Sequence, residues 1–453
     1  GYAALIPNET LPVTAAYAYP TWVAKKEHSP FYLYKDLHHH PDYAPVRYQP
    51  VDYPVFAAEL GSGIMATYSR RPLVPAESLD ALINRCIGSG ANGIGYYMYH
   101  GGSTPIGDHY FFNDEAFGYP KISYDFQAPI GEYGQVRPSF HRLKLLHFFI
   151  NDFAAILAPM ATVLPENNKN INAENTSDLR YAIRSDGNSG FLFINNFQDN
   201  DTTSDKTGLR FNIATRGGQV KLPEHGGITI SSGENLVLPF NIDLNGNLLN
   251  YATAQLLTGE NHGDVPYYVF FNTKGINPEF CFSGNGASIK PLANCRVSRH
   301  SGKLFVNCNT DKPAHFIVSG KKGKTHILVV NKQLALDAYQ LVINGDRHLV
   351  FSRSLILETG SDAEVFTEGK SPSPLSLFPH FPSPPKIDIG TLAEKPGYPL
   401  MSNYSVSMPE IDIKPDILKT GTRKVLGNIP QNIPHGLNDI FLNIDYIGDT
   451  GMA

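Results

Sequence analysis

The 453-residue sequence predicts an α/β fold joined to an all-β fold. Between residues 51 and 160, short apolar runs alternate with helical stretches, which is typical of a parallel sheet covered by helices. After about Leu164, the apolar runs are separated by turns rich in Asn, Asp and Gly, which is typical of antiparallel sheets. We therefore expect an α/β part over residues 1–163 and β-rich domains after it.

The α/β part contains four predicted elements. Tyr53–Ala58 is a short apolar run that predicts a buried strand, and Ile94–Tyr99 predicts a second strand. Between them, Pro75–Ile87 predicts a helix that begins with proline and is followed by glycines. Ser139–Leu157 predicts another helix, because its large apolar residues fall along one stripe. The order is strand, helix, strand, long loop, helix.

The remainder of the chain divides by composition. Residues 164–370 carry the short apolar runs of β-rich domains. Residues 371–400 are rich in Pro and Ser, which predicts an extended linker. Residues 401–453 include one further strand candidate, Ile440–Tyr446, and we expect them to begin another β module.

Composition and charge exclude several classes of protein. Hydrophobic residues make up 42% and charged residues 17%, as expected of a folded protein. The net charge of -5 argues against a nucleic-acid partner, and no apolar run is long enough to span a membrane. The 24 Tyr and 26 Phe suit a sugar-binding surface, although composition alone favours an ordinary tyrosine-rich β-protein. The sequence does not indicate an oligomeric state.

The four cysteines are Cys86, Cys281, Cys295 and Cys308, and they show no zinc-binding spacing. Two interpretations remain open for the last three. Either a disulfide forms within the segment 281–308, or the thiols stay free and buried.

Glu59 is the best candidate for a catalytic carboxylate. It follows the first predicted strand and precedes a Leu-Gly-Ser-Gly turn. A charged group at the mouth of a buried strand either acts on a ligand or anchors a salt bridge. Loop acids Asp114, Glu115, Asp125 and Glu132 are weaker candidates, and capping or ion pairing is the favoured interpretation of each. Nucleotide-binding, zinc-protease and serine-hydrolase motifs are absent.

Three segments together resemble glycoside hydrolase family 35, the β-galactosidases. They are Pro54–Ile64, which contains Glu59, then Gly95–Pro105, and finally Ser123–Gly134. Leu238–Ala254 also resembles the β-domain that follows the barrel in bacterial members. The resemblance implies that residues 1–163 are the C-terminal portion of a (β/α)8 TIM barrel. It further implies antiparallel β-sandwich-type domains after the barrel and a jelly-roll-like module at the end.

The resemblance also assigns roles to residues of this chain. Glu59 takes the position of the family's nucleophile in a retaining mechanism. The implied substrate-binding residues are Tyr97, Tyr124 and Phe126, and Tyr99 lies in the same segment as Tyr97. His100 joins this candidate set on its own chemistry, since it can hydrogen-bond a sugar hydroxyl, but a structural histidine is an equally good interpretation. Phe126 stands where many members carry a second tyrosine, so one hydroxyl contact to the sugar is missing there.

The function implied by the resemblance is removal of terminal non-reducing β-D-galactosyl residues from oligo- or polysaccharides. An exo-β-glucosaminidase on the same scaffold and a non-catalytic carbohydrate-binding protein are the alternatives. The two-carboxylate mechanism needs no cofactor and no metal, and the family suggests a periplasmic or extracellular location. The family's acid/base motif does not occur in the sequence, so we expect a fragment of a longer enzyme that is inactive alone.

Overall fold

The structure is a computed structural model. It describes residues 28–42, 46–63, 73–105, 122–199, 201–262, 265–284, 286–343, 345–360, 362–367, 372–381 and 383–409. Asp114, Glu115 and the strand candidate Ile440–Tyr446 lie outside these residues, so their predictions stay untested.

The α/β part has the predicted order of elements. Strand β1 (Phe56–Gly61) is followed by helix α1 (Ala76–Gly88), strand β2 (Gly93–Tyr97) and helix α2 (Pro138–Leu157). β1 and β2 pair in parallel, with Phe56 opposite Gly93. The parallel arrangement predicted from the alternating pattern is therefore confirmed.

The helix bounds agree with their sequence signals to within one residue. α1 begins after Pro75, carries an acidic residue in its first turn and has Arg85 in its last turn, which suits the helix dipole. The strand bounds were less accurate: β1 starts at Phe56 rather than Tyr53, and β2 ends at Tyr97 rather than Tyr99. The sequence predicts that β1 ends at Ala58, but the strand continues to Gly61 because Leu60 and Gly61 pair with β2. Glu59 consequently lies within the strand, not just past its end.

Short elements complete the α/β part. The strands β3 (Gly102–Ser103) and β4 (Ser123–Tyr124) pair antiparallel beyond the end of β2. Single 3-10 turns occur at Pro30–Tyr32, Pro50–Asp52 and Glu166–Asn170.

The β-rich part contains 24 strands within the described residues and one short helix, α3 (Lys332–Leu336). In chain order the strands are β5 (Ala161–Val163), β6 (Arg180–Ser185), β7 (Gly190–Asn195), β8 (Lys206–Leu209), β9 (Phe211–Thr215), β10 (Gly218–Leu222), β11 (Ile228–Ile230), β12 (Asn235–Leu244), β13 (Asn247–Ala252), β14 (Gln255–His262), β15 (Val265–Asn272), β16 (Glu279–Ser283), β17 (Ser288–Ala293), β18 (Cys295–His300), β19 (Lys303–Cys308), β20 (Ala314–Gly320), β21 (Gly323–Asn331), β22 (Ala338–Ile343), β23 (Asp346–Ser352), β24 (Leu355–Thr359), β25 (Asp362–Phe366), β26 (Ser373–Phe378), β27 (Thr391–Glu394) and β28 (Ser402–Ser407).

Three larger sheets organise these strands. An eight-stranded sheet has the order β18-β19-β16-β13-β12-β7-β6-β5, and a five-stranded sheet has the order β14-β15-β21-β20-β17. A second five-stranded sheet has the order β22-β23-β26-β28-β27. The prediction that the chain after the α/β part is β-rich is confirmed.

Residues 371–400 differ from the extended linker that their Pro and Ser content predicts. β26 and β27 both fall in this segment, and β26 pairs with β23 on one side and β28 on the other. Leu375 and Leu377 are buried on β26, so alternating apolar side chains hold the segment in a sheet despite its prolines.

The two long helices pack against the eight-stranded sheet. Phe149 of α2 and Phe193 of β7 are buried in the shared apolar cluster. Arg184 of β6 is fully buried, and its guanidinium donates hydrogen bonds to carbonyls at the last turns of both helices, 2.8 Å to Ile87 and 3.2 Å to Leu157. The free carbonyls at a helix C-terminus favour a cation, so this arginine ties both helices to the sheet. No helix among the described residues is long and apolar enough to cross a membrane.

Candidate functional site

A β-bulge decides which way Glu59 faces. Ala57 pairs with Ile94 and Leu60 pairs with Tyr96, so two residues of β1 lie opposite Gly95 alone. A regular continuation from Ala57 would pair Glu59 with Tyr96. The extra residue instead aligns Glu59 with the Gly95 position, and because successive side chains of a strand alternate, this is the face of Tyr97.

The opposite face of β2 packs against the helices. The Tyr96 hydroxyl is 2.8 Å from Nε2 of His147 on α2. Tyr99 belongs to the same group, since its ring lies 5.2 Å from that of Tyr96 and 5.8 Å from that of His147. Burial raises the pKa of Tyr99 to about 12. Tyr99 therefore contacts the helix side rather than the face that carries Glu59.

Three aromatic side chains gather at the end of β2. The hydroxyls of Tyr97 and Tyr124 are hydrogen-bonded to each other. Phe126 stacks on Tyr124 with ring centroids 4.3 Å apart and meets Tyr97 edge-on at 5.9 Å. The structure thus brings together three of the residues that the sequence singled out, although Phe126 is buried and offers little ring surface to a ligand.

The segment that carries Tyr124 and Phe126 is held by Asp125. One oxygen of this carboxylate accepts a hydrogen bond of 2.6 Å from the Glu132 backbone amide. The other is 2.6 Å from the guanidinium of Arg137, which also donates to the Ala128 carbonyl at 2.6 Å. Asp125 is thus an anchor of the loop, in agreement with the plainer interpretation of this loop acid. Its partner Arg137 was missed by the sequence analysis, because nothing in the local pattern indicates the contact.

Two glycines allow this loop to approach the strand ends. A Cβ atom at Gly63 would lie 2.6 Å from the Phe126 carbonyl oxygen, and one at Gly101 would lie 2.8 Å from the Asp125 carbonyl oxygen. Phe126 itself has a φ of 53°, a conformation that residues other than glycine rarely adopt. Backbone strain of this kind concentrates at functional sites. Gly63 and Gly101 are therefore required for a steric reason, because a side chain at either position would collide with the loop.

The remaining candidates, His100 and Glu132, lie at the rim of the candidate site. His100 is exposed, and its Nδ1 is close to the Gly101 carbonyl oxygen. Glu132 accepts hydrogen bonds from Ser103 at 2.5 Å and from Ser123 at 2.6 Å, so it joins β3 to β4.

By contrast, no other residue that the structure describes forms a hydrogen bond or ion pair with the Glu59 carboxylate. The salt-bridge interpretation of Glu59 therefore has no partner within that part of the chain.

Other sites in the described residues do not offer comparable chemistry. No group of three or more His, Cys, Asp or Glu side chains there is arranged to hold a metal ion. A cavity of about 370 Å³ lies on the helix side of β2, between Tyr96, His147 and Leu157, but no carboxylate lines it. Glu59 with the Tyr97 and Tyr124 hydroxyls remains the best candidate, because a carboxylate can act on a glycosidic bond and phenol groups can hydrogen-bond sugar hydroxyls.

Comparison with known families agrees with this chemistry. Residues 14–150 match the family "Glycosyl hydrolases family 35", and residues 162–337 match "Beta-galactosidase, domain 2". The two matches follow each other along the chain and together include both the candidate site and the eight-stranded sheet. Residues 14–150 are thus similar to glycosyl hydrolase family 35, and the segment after them is similar to a β-galactosidase domain.

Individual relatives are similar over parts of the chain. "Probable beta-galactosidase B" of Emericella nidulans is 24% identical over 49% of this chain and 21% of its own length. "Beta-galactosidase 6" of Oryza sativa subsp. japonica is 32% identical over 37% of this chain and 17% of its own length. "Beta-galactosidase 10" of Arabidopsis thaliana is 37% identical over 21% of this chain and 12% of its own length. The matched stretches thus span about a fifth or less of these relatives.

Proposed function

We propose that the full-length protein is a retaining exo-β-galactosidase with Glu59 as its nucleophile. The observation that carries the proposal is the β-bulge of β1, which turns Glu59 to the face of Tyr97. The family supports glycoside hydrolysis as the general class of reaction. The names of the relatives favour a β-galactoside as the substrate.

In this mechanism the Glu59 carboxylate attacks the anomeric carbon, and the bond from that carbon to the leaving oxygen breaks. A second carboxylic acid gives its proton to the leaving oxygen. The same group then removes a proton from the water that releases the sugar from Glu59, which restores both carboxyl groups. In retaining enzymes the two carboxyl groups are about 5–5.5 Å apart. We propose that the second group belongs to sequence beyond this chain, as the missing acid/base motif suggests.

The proposed scaffold is a (β/α)8 barrel in which β1 and β2 are adjacent strands. Among the described residues, β1 and β2 pair only with each other, although all-parallel sheets are usually covered on both faces and continued at their edges. Phe56 is 68% exposed and Tyr53 57% exposed. Exposed aromatic groups beside an open strand edge support further strands and helices there. Barrel enzymes place their sites at the carboxyl ends of the strands, which is where Tyr97 lies.

We propose that Tyr97 and Tyr124 bind sugar hydroxyls through their phenol groups. Their hydroxyls are hydrogen-bonded to each other, and a phenol hydroxyl can both donate and accept, as contacts with sugar hydroxyls require. Phe126 positions Tyr124 by stacking, and His100 is accessible at the rim. Tyr99 is left out of this set because its ring packs on the helix side. A periplasmic or extracellular location remains part of the proposal, on the strength of the family alone.

An exo-β-glucosaminidase on the same scaffold is the second candidate, and the two are separated by substrate. Aryl β-galactoside and aryl β-glucosaminide should be offered to the purified full-length gene product in parallel. We expect nitrophenol release from the galactoside and little from the glucosaminide. Release from neither substrate would favour a non-catalytic carbohydrate-binding role.

The role of Glu59 is tested in the same assay. Glu59→Gln removes the nucleophile with little change of shape, so we expect kcat to fall by at least about 10³-fold. Glu132→Gln is the matched control, because Glu132 lies in the neighbouring loop and its contacts are with two serines. Undiminished activity of Glu59→Gln, or an equal loss in both variants, would remove Glu59 from the mechanism.

A further inference from the structure

The strands β18 and β19 place two cysteines directly opposite each other. Cys295 pairs with Cys308 in their antiparallel register. The next pair along is hydrogen-bonded, since the Asn309 amide donates to the Asn294 carbonyl at 2.8 Å. The Cys308 amide points the other way, to the Pro278 carbonyl beside β16 at 3.0 Å. Because the two kinds of pair alternate, Cys295 and Cys308 form a non-hydrogen-bonded pair.

This kind of pair brings side chains closest together. Opposed Cα atoms in such a pair are about 4.5 Å apart, within the range of about 4.4–6.8 Å seen in disulfides. Both side chains also share one face of the sheet, since Cys295 packs against the apolar cluster that includes Cys308 and Val306. Backbone spacing and side-chain direction therefore both suit a bond between these two sulfur atoms.

The fold excludes the other two cysteines from a disulfide with either member of this pair. Cys281 lies opposite Phe305, and both belong to the cluster on the other face of the eight-stranded sheet. Cys86 is buried on α1 among Tyr32 and Phe197. Of the three cysteines between 281 and 308, only Cys295 and Cys308 can meet without a rearrangement of the sheet.

We propose that Cys295 and Cys308 form an oxidisable dithiol that closes to a cross-strand disulfide. The oxidant is a low-molecular-weight disulfide. The two thiols lose two electrons and two protons and form one S–S bond, while the S–S bond of the oxidant breaks and yields two small thiols. The proposal stands independently of the catalytic role of Glu59.

The bond would fasten the edge of the larger sheet at its junction with a neighbouring sheet. β18 is an edge strand, and it follows β17 of the five-stranded sheet after Asn294, whose φ is 51°. In the reduced state the Cys295 thiol contacts the His315 carbonyl of that second sheet at 3.3 Å. Oxidation exchanges this contact for a covalent link to β19. The link constrains a short loop of the unfolded chain and so stabilises the folded one.

The reactivity of the two thiols determines the pH at which the proposal should be tested. Burial raises the pKa of both thiols, and the thiolate is the attacking species. Cys295 is the more exposed of the two, so we expect it to attack first, and slowly at neutral pH. The reaction should therefore be run at mildly alkaline pH, where the thiolate fraction is larger.

The experiment uses the purified reduced 453-residue chain, hydroxyethyl disulfide as the oxidant and mass mapping without reduction. Trypsin cleaves after Arg296, Arg299 and Lys303, so the two cysteines fall on separate peptides unless a disulfide joins them. We expect a linked pair of peptides that contain Cys295 and Cys308, and a rise in Tm of a few degrees on oxidation. The rise should persist in Cys281→Ala and vanish in Cys308→Ala.

Several outcomes would overturn the proposal. A disulfide that includes Cys281 or Cys86 contradicts the assignment of faces. Four free thiols after prolonged oxidation, or only adducts with the reagent, contradict the proximity of the pair. The mapping on the unmodified chain needs no variant to fold, so a misfolded Cys308→Ala protein does not leave the proposal untested.

Discussion

Gly63 and Phe126 are in such close contact that a Cβ atom on the glycine would lie 2.6 Å from the phenylalanine carbonyl oxygen. This contact joins the turn after β1 to the loop that carries Tyr124. Glu59 is four residues before the glycine, and Tyr124 is two residues before the phenylalanine. The contact therefore sets the spacing between the candidate nucleophile and the candidate sugar-binding tyrosines.

Replacement of this glycine should destabilise the loop. Gly63→Ala forces backbone to move, and overpacking of this kind costs about 1–3 kcal/mol. Gly102→Ala is the matched control, because nothing lies within 4 Å of a Cβ atom there. Urea unfolding of both variants measures the free energy of unfolding. Equal stability of the two variants would contradict the close contact.

Two neighbouring tyrosines should differ sharply in their effect on catalysis. In the full-length gene product, Tyr97→Phe removes a hydroxyl from the face of Glu59, and we expect kcat/KM to fall by about 10–100-fold. Tyr99→Phe changes a ring that packs against Phe140 and His147, so we expect less than about a 2-fold effect. The reverse order of effects would show that the faces of β2 are assigned wrongly.

The stability of the chain should depend on the protonation of Glu260. Burial raises the pKa of Glu260 to about 7, Arg347 opposes the shift and Asp152 adds to it. A raised acid stabilises the fold while it is protonated, so this contribution is complete below the ordinary value of 4.5 and is lost as pH rises through 7.

We therefore expect Glu260→Gln to match the unmodified chain at pH 4, below the ordinary pKa of 4.5. At pH 8 the variant should be more stable, by about 1–2 kcal/mol. Glu364→Gln, at an exposed position, serves as the control and should follow the unmodified chain at both pH values. Parallel pH profiles for all three proteins would contradict the raised pKa.

Local sequence signals were sufficient for the helices and for the parallel pair. Pro75 marks the start of α1, and the apolar stripe marks α2. Both signals are local, because the bounds of a helix depend on residues that are close in the sequence. The bulge beside Glu59 was not predictable, because Tyr53–Ala58 shows no periodicity that would reveal an extra residue. The position of Tyr99 depends equally on tertiary contacts with α2, so its motif suggested a sugar contact that the packing does not favour.

In the β-rich part, too, tertiary contacts decide features that local sequence signals do not predict. The Pro and Ser residues of 371–400 suggested a linker, but buried Leu375 and Leu377 pair that segment into a sheet. The prediction of a linker relied on the Pro and Ser content and disregarded a weak alternation of apolar residues. In the fold, burial of those apolar side chains decides the structure of the segment. The pairing of Cys295 with Cys308 likewise follows from strand register, which spacing alone does not reveal.

The central claim is that Glu59 forms the covalent intermediate, and trapping that intermediate tests it most directly. The full-length gene product should be treated with a 2-deoxy-2-fluoro-β-galactoside that carries a good leaving group, because the fluorine slows breakdown of the glycosyl-enzyme. We predict that peptide mapping finds one added fluorogalactosyl group, on Glu59. A label on any other carboxylate, or inhibition without covalent label, would contradict the account.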